Sequence, residues 1–139
     1  RMAAAVNAMS DFVGELARTQ GDLVRGVREG RFEVLQGVER FEGFQRGLYE
    51  GLNGLVEEVG AAIAGVRGAM DRLASGDLSV RMEGQYQGEF EALQASVNGT
   101  IDHLREMIAG IQSAASHINT AAMEIAGGNL DLSARTEQQ

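Results

Sequence analysis

Proline, cysteine, tryptophan and lysine are all absent from this chain of 139 residues. Ordinary usage would supply roughly 5% proline, and its absence removes the commonest helix breaker and favours long helices. Without cysteine there are no disulfides and no thiolate metal sites, which suits a reducing compartment. Arginine supplies every basic side chain, yet the net charge is −8, which argues against nucleic acid or an anionic membrane surface as partner. No apolar run approaches the ~20 residues of a bilayer-crossing helix, and no signal peptide is visible. The pattern is cut in mid-course at Arg1 and at Gln139, which reads as an excerpt of a larger protein, so any membrane attachment would lie outside it. Glycine, in contrast, is plentiful. Nineteen residues, each costing up to about 1 kcal/mol inside a helix, are too many for an uninterrupted rod, so several must mark breaks.

Between the breaks lie helical seams. Val6, Met9, Val13, Leu16, Leu23 and Val27 follow steps of three and four, with Gln20 in the one polar slot. That is an a/d heptad pattern, and Gly30 ends it. A second seam starts near Phe44 and runs through Leu48, Leu52, Leu55, Val59, Ile63, Val66, Met70 and Leu73 to Gly76. Its steps of four and four at Leu55–Val59–Ile63 are a stutter, which unwinds a coiled coil locally without breaking the helix. Residues 44–75 therefore predict one helix about 48 Å long. After Gly76, Leu78, Val80 and Met82 alternate with polar residues, like an extended strand that points one face inward. A last seam runs from Phe90 through Val97, Ile101, Leu104, Ile108, Ile111 and Ile118 to Ile125, and Gly127–Gly128 is expected to loosen it.

The two interruptions belong to one repeat. "FEGFQRGLYEGLN" (Phe41–Asn53) aligns without a gap on "YQGEFEALQASVN" (Tyr86–Asn98), about 45 residues later. Each copy reads helix, connector, helix. An antiparallel helix pair needs a loop of only about 2–8 residues. The stretch from Gly76 to Gly88, extended, spans roughly 40 Å, enough to climb back along a helix so that the next one starts level with it. The two helices of a copy would then be parallel, with apolar connector residues pinned in the groove between them. One such pair has too little core to stand alone. Two chains would bury all four stripes, so the expected fold is all-α: elongated parallel four-helix coiled-coil bundles formed by a homodimer.

The stretch "LASGDLSVRM", followed by "GEFEALQASVN", resembles the HAMP domain of bacterial chemoreceptors and sensor kinases. That family's pattern is an amphipathic helix, a Gly, an apolar residue two further on, a second apolar residue four beyond that, and a Glu opening the next helix. Gly76, Leu78, Met82 and Glu89 match in order, and the Asn98 position fits. The first copy resembles a divergent unit: Gly30, Phe32 and Asn53 match, Phe44 stands where the Glu would be, and Leu35 and Val38 both fit the second anchor. Neither copy has the Pro that often opens the first helix. The tail "IAGGNLDLSARTEQQ" is similar to the lead-in to the signalling helices of methyl-accepting chemotaxis proteins, where Glu/Gln pairs mark adaptation sites. Gln138 is then the candidate methyl acceptor, after deamidation.

The resemblance implies two concatenated units. The first covers residues 1–60, with helix 2–29, connector 30–43 and helix 44–60. The second covers 61–112, with helix 61–75, connector 76–88 and helix 89–112. Residues 113–139 begin the signalling helix. It also implies a relay and not an enzyme, with no cofactor, in the cytoplasmic portion of a receptor. The partners it implies are a second copy and, through the region downstream, a histidine kinase and a coupling protein, with a methyltransferase and a methylesterase acting on the adaptation sites.

Little else in the sequence carries chemistry. His103 in "IDHLREMI" is similar to a kinase phosphoacceptor box but lacks the following Pro, and it reads as a solvated helix histidine, as does His117. No His/Asp/Glu group has metal-ligand spacing. Glu89 reads equally as an acid favoured by the helix macrodipole and as a contact that holds the connector in one signalling state. The rival functions are a HAMP linker of a histidine kinase or nucleotide cyclase, and a plain coiled-coil spacer.

Overall fold

A computed structural model describes all 139 residues. The chain is all-helical: α1 spans Met2–Arg28, α2 Gly43–Ala74 and α3 Glu89–Glu137, with a single 3₁₀ turn at Val38–Arg40 and no strand. Two compact units divide within α2, Arg1–Arg67 and Gly68–Gln139.

Both α1 and α2 end in the same way. Gly30 N–H bonds Val27 O at 3.0 Å and Arg31 N–H bonds Gly26 O at 2.8 Å; Gly76 N–H bonds Leu73 O at 2.9 Å and Asp77 N–H bonds Arg72 O at 3.0 Å. These are Schellman motifs, which place the stopping residue in the left-handed region. Gly30 and Gly76 sit there, at φ +76° and +88°.

In the first unit the helices run parallel. The Phe12 ring meets the Tyr49 ring edge-on, centroids 6.3 Å apart. Further along α1, Gln20, Leu23 and Val27 share an apolar groove of about 360 Å³ with Leu52, Val56 and Val59 of α2. Contacts thus advance in the same direction on both helices. The connector runs the opposite way: Phe32 lies against Gly60, Leu35 against Asn53, and Phe41 against Tyr49 with ring centroids 4.7 Å apart.

The second unit repeats the descent. Leu78 meets Arg105, Met82 meets Asn98, and Gly84 meets Gln94, so this connector runs antiparallel to α3. Here the expectation of a strand-like stretch is corrected. Asp77 folds back on Ser79, its Oδ1 accepting the Ser79 amide at 2.9 Å and the Ser79 hydroxyl at 2.6 Å. This Asx turn replaces a regular strand, yet the alternation survives it: Leu78 is half-buried, Val80 and Met82 are buried, and Ser79 and Arg81 between them are exposed. A second difference lies in α3, which passes through Gly127–Gly128 as continuous helix.

The core is thin. Val38, Tyr49 and Val56 are buried in the first unit, and Val80, Met82, Val97 and Ile101 in the second. The seams stay open: Val6, Val13, Leu55, Ile63, Ile111, Ile118 and Ile125 are all exposed, and every residue after Leu104 is exposed.

Candidate functional site: the two connectors and their asparagines

Each connector is fastened by one asparagine from the helix that follows it. Asn53 Oδ1 accepts the Leu35 amide at 2.7 Å, and its Nδ2 donates to the Leu35 carbonyl at 3.0 Å. Asn98 treats Met82 identically, at 2.8 and 3.3 Å. A carboxamide offers one acceptor and one donor side by side, which is what a single extended residue presents to a strand partner. The clamp therefore supplies, for one residue, the pairing that an isolated extended chain lacks. It also assigns the second anchor of the first connector. Leu35 is the counterpart of Met82, while Val38 is buried at the start of the 3₁₀ turn. That turn takes up the two extra residues between anchor and asparagine, 18 against 16.

Around the clamps the two copies diverge. In the first, Phe32 packs so closely on Gly60 that a Cβ there would stand 2.7 Å from the Phe32 Cβ. Arg40 of the 3₁₀ turn pairs with Glu15 of α1 at 3.1 Å and lies 4.8 Å over the Phe41 ring. Tyr49, only 2% exposed, sits between the Phe12 and Phe41 rings, and its hydroxyl finds no partner in the chain. In the second copy the fastening is polar. Gln94 donates to the carbonyls of Met82 (2.8 Å) and Gly84 (3.1 Å), Arg81 pairs with Asp102, and Arg105 donates to the Leu78 carbonyl.

The electrostatics follow from these partners. The Ser79 hydroxyl, with the Arg72 guanidinium behind it, lowers Asp77 to about 2. Arg81 lowers Asp102 below the usual carboxylate range and is itself raised by that carboxylate. No group of three His, Cys, Asp or Glu residues is arranged to hold a metal ion.

The residues singled out by the sequence fall as follows. Gly30 and Gly76 are the helix stops, and Phe32 and Leu78, two residues after them, are half-buried. Met82 is buried to 2% and clamped. Glu89 is the first residue of α3, after Gly88 at φ +60°; its side chain is exposed and forms no hydrogen bond or ion pair. Gln138 is the exposed C-cap of α3. His103 and His117 are exposed on α3.

Sequence reasoning missed the role of the asparagines and the Arg81–Asp102–Arg105 cluster. One signal was available. Asparagine is a poor helix former that competes for backbone partners, so its recurrence at matching helical positions, Asn53 and Asn98, pointed to a backbone contact. The salt bridge from Arg81 to Asp102 spans 21 positions and has no local signature.

Comparison with known proteins bears on the same segment. Residues 40–106 match the HAMP domain family. The chain is 43% identical over 99 residues to the methyl-accepting chemotaxis protein McpB of Pseudomonas aeruginosa, an alignment that covers 71% of this chain and 15% of that protein. The chain thus spans a small part of that relative's length. No solved structure gives a significant match.

Proposed function

We propose, from the HAMP match over residues 40–106 and the chemoreceptor relative, that this chain is a signal-relay region of a chemotaxis transducer. Both findings fit a HAMP region and point to a signalling module rather than a catalyst. The observation that carries the mechanism is the repeated asparagine clamp on a descending connector, at Leu35 and at Met82. It supports a reading of two concatenated HAMP-like units sharing α2, although the family match takes in only part of the first.

In this reading a second copy covers the open seams and fills the groove lined by Leu23, Val27, Leu52 and Val59, making parallel four-helix bundles. Gly30, Phe32, Gly76, Leu78, Met82 and Glu89 act as stops, anchors and helix start of the two connectors. An upstream input biases each bundle between two packings of similar energy. The exposed C-terminal stretch of α3 passes that bias to methylation helices and, through a downstream region, to a histidine kinase and its coupling protein. Gln138 is the candidate methyl acceptor for a methyltransferase and methylesterase. Such a relay works in the cytoplasmic part of a receptor; no helix here is long and apolar enough to cross a membrane.

Replacing Met82 by Gln in the full-length parent tests the relay. A relay locks kinase output on or off, or loses its response to input. Unchanged output, with the protein present at normal levels, refutes the reading and leaves a spacer.

A further inference from the structure

Both connectors carry the asparagine clamp, but the neighbouring stations differ in kind. Arg81 immediately precedes the clamped Met82. Its guanidinium reaches both carboxylate oxygens of Asp102, at 2.8 and 2.5 Å, and also donates to the Asn98 carbonyl at 3.2 Å. Asp102 lies one helical turn beyond Asn98. Arg105 stands 3.4 Å from the same carboxylate while donating to the Leu78 carbonyl. One carboxylate is thus held between an arginine of the connector and an arginine of α3, with His103 as the other titratable group near it.

With Asn53 aligned on Asn98, the first unit has no counterpart. Asp102 falls on Glu57, which is exposed and makes no ion pair, and Arg105 falls on Gly60. The residue before the clamped Leu35 is Val34. Where the second unit places a guanidinium on the Leu78 carbonyl, the first places the Phe32 side chain on a bare helix backbone at Gly60.

We propose that Arg81, Asp102 and Arg105 are positioning residues that form a charged latch beside the clamp of the second connector, a place where the first connector has no ion pair, so that the two clamped stretches respond differently to ionic conditions. The three side chains are between 38% and 46% exposed. Solvent-exposed pairs of this kind are weak and are screened by salt, strong enough to bias a connector already clamped but not to fold it. The Phe32–Gly60 contact of the first connector has no charge to screen. That the latch biases signalling rests on the relay reading above; the latch itself does not.

Amide hydrogen exchange of the 139-residue chain tests it, at low salt and at about 1 M sodium chloride, where the Debye length falls to about 3 Å. High salt is expected to raise exchange over residues 80–84, beside Arg81 and clear of the Arg72–Asp77 pair, by about threefold, as befits loss of an exposed pair. It is expected to leave residues 33–36, which flank the clamped Leu35 between the Arg31–Glu29 and Arg40–Glu15 pairs, unchanged as an internal control. Asp102→Asn is expected to reach the high-salt rate at low salt and to abolish the salt response; Arg81→Met, which keeps the apolar stem, does the same if Asp102→Asn does not fold. Equal salt effects on residues 80–84 and 33–36, no effect on residues 80–84, or a salt response there that survives both variants overturns the latch. Those results leave the relay reading untouched, and a spacer-like Met82→Gln phenotype leaves the latch standing.

Discussion

Asn98 holds Met82 by both of that residue's backbone polar groups, and 45 residues earlier Asn53 holds Leu35 in the same way. The clamped residue is the one whose position decides how deep the connector sits. Met82 buries its side chain to 2% exposure directly beside the pair of hydrogen bonds. Apolar anchoring and polar anchoring thus act on one residue.

Removing Asn98 leaves the Met82 amide without a partner, while the Met82 carbonyl keeps Gln94; removing Asn53 leaves both backbone groups of Leu35 unpaired. Orphaning such groups costs about 1–3 kcal/mol. Asn98→Leu is therefore expected to lower stability by about 2 kcal/mol in urea denaturation and to speed exchange of the Met82 amide, while the Leu35 amide keeps its protection. Asn53→Leu should show the mirror image.

Gly60 is a helical glycine with no room for a side chain. An alanine Cβ there would stand 2.7 Å from Phe32, and overpacking of this kind costs about 1–3 kcal/mol, more than the roughly 1 kcal/mol that alanine adds to a helix interior. Gly60→Ala should lower the melting temperature, and adding Phe32→Ala should recover part of the loss. At Gly110 an added methyl group would meet nothing within 4 Å, so Gly110→Ala should raise the melting temperature.

Asp77 ties the end of α2 to the second connector through Ser79 and Arg72. Its carboxyl is lowered from the usual 3.8 to about 2 in the fold. A depressed folded value means that the contribution is fully present above the unfolded value and is lost as pH falls through the folded one. Stability should therefore decline between about pH 4 and pH 2 as this contact is protonated. A pH series of denaturation curves should show a smaller acid decline for Asp77→Asn than for the unmodified chain.

The open seam of α3 predicts association. Ile111, Ile118 and Ile125 are each at least 63% exposed in the single chain, in a spacing that makes a stripe and not scattered apolar residues. Sedimentation should give twice the chain mass of 14.8 kDa, and Ile111→Asp should shift the equilibrium toward the single chain. A monomer at high concentration would sink the parallel-dimer arrangement.

How much of this could be read in advance follows from how local each feature is. The stops at Gly30 and Gly76 are decided within six residues by a left-handed conformation that glycine adopts freely, and the seams follow from a period of three and four residues. Helical character, the two breaks and the need for a returning connector were therefore determined by the sequence alone. The details of the connector were not. An Asx turn at Asp77 stands where a strand was expected, and only the clamp separates Leu35 from Val38. The asparagine bonds and the Arg81–Asp102 pair join residues 16 to 21 positions apart. No periodicity encodes contacts at such separations. They exist only once the chain has turned back along its own helix, so tertiary structure alone decided which side chains hold the connectors in place.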